Sequence, residues 1–299
     1  MSENLDKYRG KITISDGAWG TELQAHGLQT GACPDAWNIE NPAAVEAVAR
    51  SYIEAGSEII LTNTFRSNRL ALEQFGLADS ADLLARRGAQ ISKKVAGDSV
   101  AVFGSMGPTG KIVMMGEISP EEIQSSFASQ ASALEEGGVQ AILCETFAQL
   151  DELILALRAA KESTNLPVIV SMTFDSGPEK TSTMMGNTPE DLVSAAIDGG
   201  ADAVGANCGT GPENYAKLAK MLHQAISKRQ QDSNNRLLIW IKPNAGIPIL
   251  RKGKTIFPME PEEFASYVPE IVAAGADFIG GCCGTTPAHI KAIRKVLQK

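Results

Sequence analysis

Cysteine, histidine, aromatic residues and long apolar runs are all scarce in this sequence, and each shortage removes a class of protein. Five cysteines in 299 residues are too few for a disulfide framework, and two of them, Cys282 and Cys283, are adjacent, a spacing poorly suited to bridging each other. Reduced thiols, with metal binding as one use for them, are expected. No apolar run approaches the roughly 20 residues that cross a bilayer. Met1 to Gly10 lacks the apolar stretch of a signal peptide, so no membrane partner and a cytoplasmic location are expected. Lys and Arg number 27 against 35 Asp and Glu, a formal net charge of −8, which argues against a phosphate-backbone binder and so against nucleic acid. Neither a G-x-G-x-x-G nor a P-loop pattern occurs, which removes the familiar nucleotide loops. What remains is 43% hydrophobic and 21% charged, the make-up of a soluble globular protein with a large core.

Short apolar runs alternate with segments of helical composition from end to end. The strand candidates are Ile12 to Asp16, Ser57 to Thr64, Val100 to Ser105, Ala141 to Glu145, Val168 to Thr173, Ala203 to Asn207, Leu237 to Pro243 and Phe278 to Gly281. Near-continuous apolar runs are how buried parallel strands read, and strands alternating with helices imply βαβ units. The helical segments run Pro42 to Ala55, Ser67 to Val95, Pro120 to Glu136, Leu150 to Glu162, Pro189 to Asp198, Pro212 to Arg229, Pro261 to Ala274 and Pro287 to Leu297. Several open on proline, which a first helical turn tolerates. Glycine stands just before four of the strands, at Gly56, Gly137-Gly138, Gly199-Gly200 and Gly275, where it can end a helix in the left-handed conformation. Eight such units joined by right-handed crossovers close into a (β/α)8 TIM barrel of the α/β class, whereas an open doubly wound sheet needs a topological switch and usually a glycine-rich loop. No Pro/Ser-rich linker divides the chain, and the polar stretch Ser227 to Arg236 reads as a solvated helix end and loop. A single domain over residues 1–299 is expected.

In such a barrel the carboxyl ends of all strands converge on one face, where active sites sit. Those ends read Asp16-Gly17, Thr62-Asn63-Thr64-Phe65, Gly104-Ser105-Met106-Gly107-Pro108, Cys144-Glu145-Thr146, Asn207-Cys208-Gly209, Lys242-Pro243-Asn244-Ala245-Gly246 and Gly280-Gly281-Cys282-Cys283-Gly284. Adjacent cysteines in a regular strand point to opposite faces, so turning both toward one ion needs unusual backbone angles, which the flanking glycines supply. Cys208, also followed by glycine, offers a third sulfur across the rim. Three thiolates with one open position describe a zinc centre that activates a ligand rather than a closed structural site. A free cysteine is otherwise a small buried hydrophobe: that is the reading for Cys144 in its apolar run, and Cys33 reads as an incidental surface or loop thiol. None of His26, His223 and His289 falls at a strand end, so no histidine ligand or general base is expected.

DGAWGT at Asp16 to Thr21, TNTF at Thr62 to Phe65, GPT at Gly107 to Thr109, ETF at Glu145 to Phe147, the Asn207-Cys208 pair followed by Gly211-Pro212, PNAG at Pro243 to Gly246 and GGCCGTTP at Gly280 to Pro287 together resemble the zinc- and homocysteine-binding domain of the homocysteine S-methyltransferases. The likeness runs in order along nearly the whole chain, and GGCCGTTP with the upstream Asn-Cys is its specific part. It implies a TIM barrel in which Cys208, Cys282 and Cys283 hold Zn²⁺ and the homocysteine sulfur becomes a further ligand, ready to accept a methyl group. It further implies that Asp16 and Glu145 hold the amino group of homocysteine, and that Thr62, Asn63, Thr64 and Asn207 shape the substrate pocket. Asn244 is either a fourth zinc ligand or a site-shaping amide.

Betaine-using relatives carry an aromatic cage for a quaternary ammonium, a cation–π device. Two of those cage positions fall here on Arg66 and Thr146, and neither supplies a ring. TNTF and ETF look closer to the amino-terminal module of cobalamin-dependent methionine synthase, which implies a methylcorrinoid carried by a separate protein as donor. S-methylmethionine or S-adenosylmethionine is the competing donor, and another thiol, or corrinoid demethylation in the reverse direction, would use the same zinc chemistry. A barrel with a merely structural zinc, or a metal-free barrel enzyme acting on a phosphorylated sugar, would leave the cysteine trio or the polar rim without a role.

Overall fold

Glycine stops the helices where the sequence places it: Gly56, Gly138, Gly200 and Gly275 all have positive φ, and each hands the chain to a strand. A computed structural model describes residues 5–116, 118–230, 236–251 and 254–298. The strands are β1 (Thr13–Ile14), β2 (Ile59–Leu61), β3 (Ala101–Met106), β4 (Ala141–Phe147), β5 (Val168–Met172), β6 (Ala203–Asn207), β7 (Leu238–Lys242), a small antiparallel hairpin of β8 (Ile249–Arg251) and β9 (Lys254–Ile256), and β10 (Phe278–Ile279). Eight of them form one parallel sheet in the order β1-β10-β7-β6-β5-β4-β3-β2. A parallel bridge from Ser15 to Ile59 and a 2.8 Å bond from Glu58 N to Ile14 O join the two edges. The sheet is therefore a barrel, as the repeated strand and helix pattern implies.

Every apolar run overlaps its strand; β3 and β4 extend past their runs to Met106 and Phe147, whereas β1, β2 and β10 keep only two or three residues of theirs. The N–H of Leu61 donates to the Asp16 carboxylate at 2.7 Å instead of to a neighbouring strand, so a side chain ends the ladder there. The segment Ser67 to Val95 is not one helix. It breaks at Gly76, with φ of 69°, into a short helix at Arg69–Leu72, two 3-10 turns and a helix at Ala81–Ala96. Pro261 to Ala274 likewise splits into Pro261–Ser266 and Val268–Ala273, with Pro269 in the first turn of the second piece, where its missing N–H is harmless. The helices Gly20–Ala25 and Trp37–Glu40 and the β8–β9 hairpin are too short for a periodic signal. Residues 231–235 of the expected solvated loop lie outside the described residues.

Residues in lateral register point the same way, and side chains alternate along each strand. Ile59, Leu61, Phe103, Ala141, Leu143, Ile169, Ala203, Leu238, Trp240 and Phe278 thereby form the barrel interior, closed at its amino-terminal end by Leu5 and Tyr8. Tyr8 meets Phe278 edge-on at 5.2 Å between ring centroids. The alternate residues, among them Ile60, Val102, Ile142, Val170, Val204, Ile239 and Ile279, pack under the helices. Among the described residues no helix is long and apolar enough to cross a membrane.

Candidate metal centre

Carrying the interior parity two residues past the apolar layer decides which polar side chains share the top of the barrel. Ser105 follows Phe103, Glu145 follows Leu143, Ser171 follows Ile169, Asn207 follows Gly205 and Lys242 follows Trp240. All five are buried, on the face that continues the core. The same parity turns Cys144 outward under the helices, where it is fully buried and burial pushes its thiol up to about 12. Cys33 is buried too, in a small apolar cluster with Leu72 and Leu84. It is a packed side chain rather than a loose loop thiol, because the Pro34–Ala36 turn lays it against the Ala81–Ala96 helix.

Cys208, Cys282 and Cys283 meet just above that layer, their sulfurs all within 4.8 Å of one another. Two sulfurs each ~2.3 Å from one tetrahedral zinc would lie ~3.8 Å apart, and Cys208 Sγ lies 3.9 Å from Cys283 Sγ. The spacing and the all-sulfur donor set therefore fit a single zinc ion. Taken as bare thiols, the three hold their protons unequally. Cys208 is pulled well below the ordinary thiol range because Cys282 and Cys283 both donate to it. Cys282 and Cys283 are pushed up, as donors to Cys208. Gathering three thiolates here takes a cation.

The backbone achieves this convergence partly as expected: Gly284, directly after the pair, is left-handed with φ of 79°. Gly280 and Gly281 do not have positive φ; they are needed for close approach. A Cβ on Gly280 would lie 2.1 Å from Ser15 Oγ and 2.6 Å from Asp16 O, and one on Gly281 would lie 2.3 Å from Thr285 Oγ1. Cys208 is itself left-handed, with φ of 66°, as is Gly209 after it, with φ of 72°. Its conformation is fixed by a bond from its N–H to Lys242 O at 3.1 Å and by Thr210 N and Tyr215 Oη, which donate to its carbonyl at 2.8 and 2.5 Å. Cys282 N donates to Pro243 O at 2.7 Å and Cys283 O accepts from Ala245 N at 3.0 Å, so the cysteine pair is strapped to the β7 end.

The other residues singled out from sequence fall into two groups. Glu145, Asp16, Asn207 and Asn244 surround the sulfurs or the polar layer beneath them. Glu145 accepts from Ser105 Oγ at 2.5 Å, and burial pushes its carboxyl up to about 7 against the opposing pull of Lys242. Asp16 is fully buried and heavily engaged: Oδ1 takes Lys242 Nζ at 2.6 Å, while Oδ2 accepts Trp19 Nε1 and Leu61 N, each at 2.7 Å. Asn244 hydrogen-bonds to the Cys208 sulfur, and its Oδ1 is buried with no hydrogen-bond partner among the described residues. Thr62 and Asn63 serve the scaffold instead. The Thr62 hydroxyl accepts from Ser105 N at 3.0 Å and bonds to Thr64. The Asn63 amide is spent on Pro34 O and Asn38 Oδ1, at 2.8 and 2.9 Å, and is not brought to the sulfurs.

Sequence reasoning gave no role to Lys242, Ser105 or Tyr215. Lys242 is the one whose signal was present: a lysine closing the apolar run Leu237 to Ile241, on the interior parity of Trp240, has to be paired where it is buried. No histidine joins the sulfur cluster among the described residues; His289 closes a cap, accepting from Thr286 N at 3.1 Å with its other ring nitrogen 3.0 Å from Met259 O.

Among solved structures, the homocysteine methyltransferase MmuM of Escherichia coli in its oxidized form has the same fold, with a TM-score of 0.78, 24% identity and 96% of each chain covered. Its metallated form gives 0.77. The methionine synthase of Mycobacterium tuberculosis is 32% identical over 97% of this chain, which covers 25% of that relative. This chain thus spans about a quarter of the length of the methionine synthases it matches. Betaine–homocysteine S-methyltransferase 1 of Danio rerio is 27% identical over 97% of this chain and 74% of its own length. The sequence profile described as homocysteine S-methyltransferase matches residues 13–297, taking in every barrel strand and all three clustered cysteines, and so the chain belongs to the homocysteine S-methyltransferase family.

Proposed function

We propose that this chain transfers a methyl group to the thiolate of homocysteine, giving methionine, with Zn²⁺ held by Cys208, Cys282 and Cys283. The observation that carries the reading is the meeting of these three sulfurs within 4.8 Å at the carboxyl end of a barrel. Bound by three anionic sulfurs, zinc supplies an acidified yet electron-rich fourth position, where a thiol is deprotonated at neutral pH and stays nucleophilic. The protein's own residues do the rest. Glu145 takes the ammonium of homocysteine, which would draw its raised carboxyl toward the charged form. Asp16, already engaged by Lys242, adds negative charge beside it. Asn244, with an unused buried Oδ1, is the amide next to the incoming sulfur. Lys242 offsets part of the charge that the carboxylates and sulfurs accumulate.

The S–CH₃ bond forms as the donor's bond to the same carbon breaks. A methylcorrinoid on a separate protein is the donor favoured by the 32% identity to a methionine synthase and by Arg66 and Thr146, which supply no cage for betaine. S-methylmethionine or S-adenosylmethionine is the second reading, favoured by a likeness that covers 96% of both chains with a homocysteine methyltransferase of this size. Free cysteines throughout support a reducing, cytoplasmic setting. A methyl-transfer assay with homocysteine against methylcobalamin, S-methylmethionine, S-adenosylmethionine and betaine tests both points. Methionine from any donor supports the acceptor, and turnover of S-methylmethionine with no corrinoid protein present overturns the corrinoid donor. No methionine from any of them, with zinc bound, sinks the proposal.

A further inference from the structure

Asn207 ends β6 one residue before Cys208, and all four hydrogen-bonding positions of its side-chain amide are taken by the protein. Oδ1 accepts from Thr146 N at 3.0 Å and from Ser171 Oγ at 2.7 Å. Nδ2 donates to Thr146 Oγ1 at 2.7 Å and to Cys282 Sγ at 3.7 Å. The backbone N–H of Thr146 can only donate, so it fixes which end of the amide faces it. An amide offers two donor hydrogens and two acceptor lone pairs; none is left for a substrate.

We propose that Asn207 is a positioning residue of the metal centre, a clamp that ties the Cys282 sulfur to the ends of β4 and β5, and that it takes no part in holding homocysteine. Two features of the geometry require such a clamp. Thr146, a β-branched residue, is held at φ of 66°, a conformation that costs of order 1–3 kcal/mol and persists here because one amide engages both its N–H and its hydroxyl. Cys282 lies beyond β10 with its backbone held at the β7 end, and the Asn207 amide on β6, two strands from β10, is the contact that links its sulfur onward to β5 and β4. An N–H donated to a ligating sulfur also withdraws charge from it, as partners behind a metal's ligands generally do. Because Thr146 directly follows Glu145, the same clamp sets the carboxylate at the end of β4 relative to the sulfurs.

The inference rests on the three cysteines being the zinc ligands. Asn207→Asp in the whole chain keeps side-chain size and both acceptor bonds but replaces the N–H facing Cys282 with a carboxylate oxygen. Zinc affinity by chelator competition is expected to fall ~10- to 100-fold, the usual effect of losing a partner behind a ligand. With Co²⁺ as probe, the sulfur-to-metal charge-transfer band is expected to move, and at saturating metal homocysteine binding should change less than metal affinity does. Unchanged metal affinity and an unmoved band, with weakened homocysteine binding, would instead make Asn207 a substrate ligand and overturn the inference. If N207D does not fold, Thr146→Val and Ser171→Ala each remove one partner of the amide without touching sulfur: a moved band in either supports the clamp, and an unmoved band in both overturns it. Failure of the wild-type chain to take up zinc or cobalt would sink the ligand assignment itself, a result distinct from normal uptake with an unaffected N207D band.

Discussion

Replacing Lys242 with methionine keeps most of the side-chain volume and removes one charge from the most buried ion pair among the described residues. Lys242 and Asp16 are 2% and 0% exposed, with 2.6 Å between Nζ and Oδ1. Removing one partner of a buried pair costs about 3–5 kcal/mol, because the other charge is left in a medium that solvates it poorly. Asp16 would keep the Trp19 indole N–H and the Leu61 N–H on its other oxygen, which places Lys242→Met near the lower end, about 3 kcal/mol. The double variant Asp16→Asn/Lys242→Met leaves no charge behind, so the two substitutions should be strongly non-additive, with a coupling of about 2 kcal/mol or more. Urea denaturation of the four proteins at pH 7 measures this, provided the m-value stays constant across the set. A K242M midpoint equal to that of the wild type, or simple additivity in the double variant, would show that Lys242 does not compensate Asp16, and the electrostatic description of the barrel top would have to be withdrawn.

Glu145→Gln should flatten a pH dependence. Burial raises the Glu145 carboxyl from 4.5 to about 7, so between those values the folded state binds more protons than the unfolded one and wild-type stability falls as pH rises. The Gln variant lacks that slope and should gain on the wild type by up to about 3 kcal/mol between pH 4.5 and 7, read by denaturation without homocysteine; parallel pH profiles would refute it. Tyr215→Phe removes the bond to the Cys208 carbonyl, 2.5 Å in length, and should cost about 1–2 kcal/mol of stability. It should also weaken zinc binding in chelator competition; wild-type zinc affinity would show that Cys208 holds its left-handed backbone unaided. Gly205→Ala would place a Cβ 2.0 Å from Trp240 O, a backbone atom of the adjacent strand that cannot swing aside. It should lower stability by about 3 kcal/mol or more, and a soluble variant with an unchanged urea midpoint would contradict the barrel register.

The sulfur site was legible because its signal is local. Glycine crowds the Cys282-Cys283 pair, and the strand and helix alternation puts Cys208 and Cys283 on one rim although 75 residues separate them. Side-chain alternation likewise separates Glu145, inward, from Cys144, outward. The particular use of a group in a three-dimensional network was not legible. Asp16 looks like a free rim carboxylate until Lys242, 226 residues away, is found on it. Asn63 belongs to the TNTF motif, yet its amide is claimed by the Pro34–Ala36 turn. Left-handed backbone at Cys208 and Thr146 also escapes sequence reading, since neither is a glycine and the hydrogen bonds that hold them come from elsewhere in the chain. The broken Ser67 to Val95 segment is different: Gly76 was there to be seen, but helical composition on both sides masked it.

The most direct test is the sulfur count around bound zinc, read by X-ray absorption at the zinc edge with and without homocysteine. Three sulfurs plus one lighter ligand, rising to four sulfurs when homocysteine is added, is the result expected of Cys208, Cys282 and Cys283 with a thiol-accepting position, and Cys208→Ser should lower both counts by one. A count that homocysteine leaves unchanged, or a count that Cys208→Ser does not alter, would contradict the account.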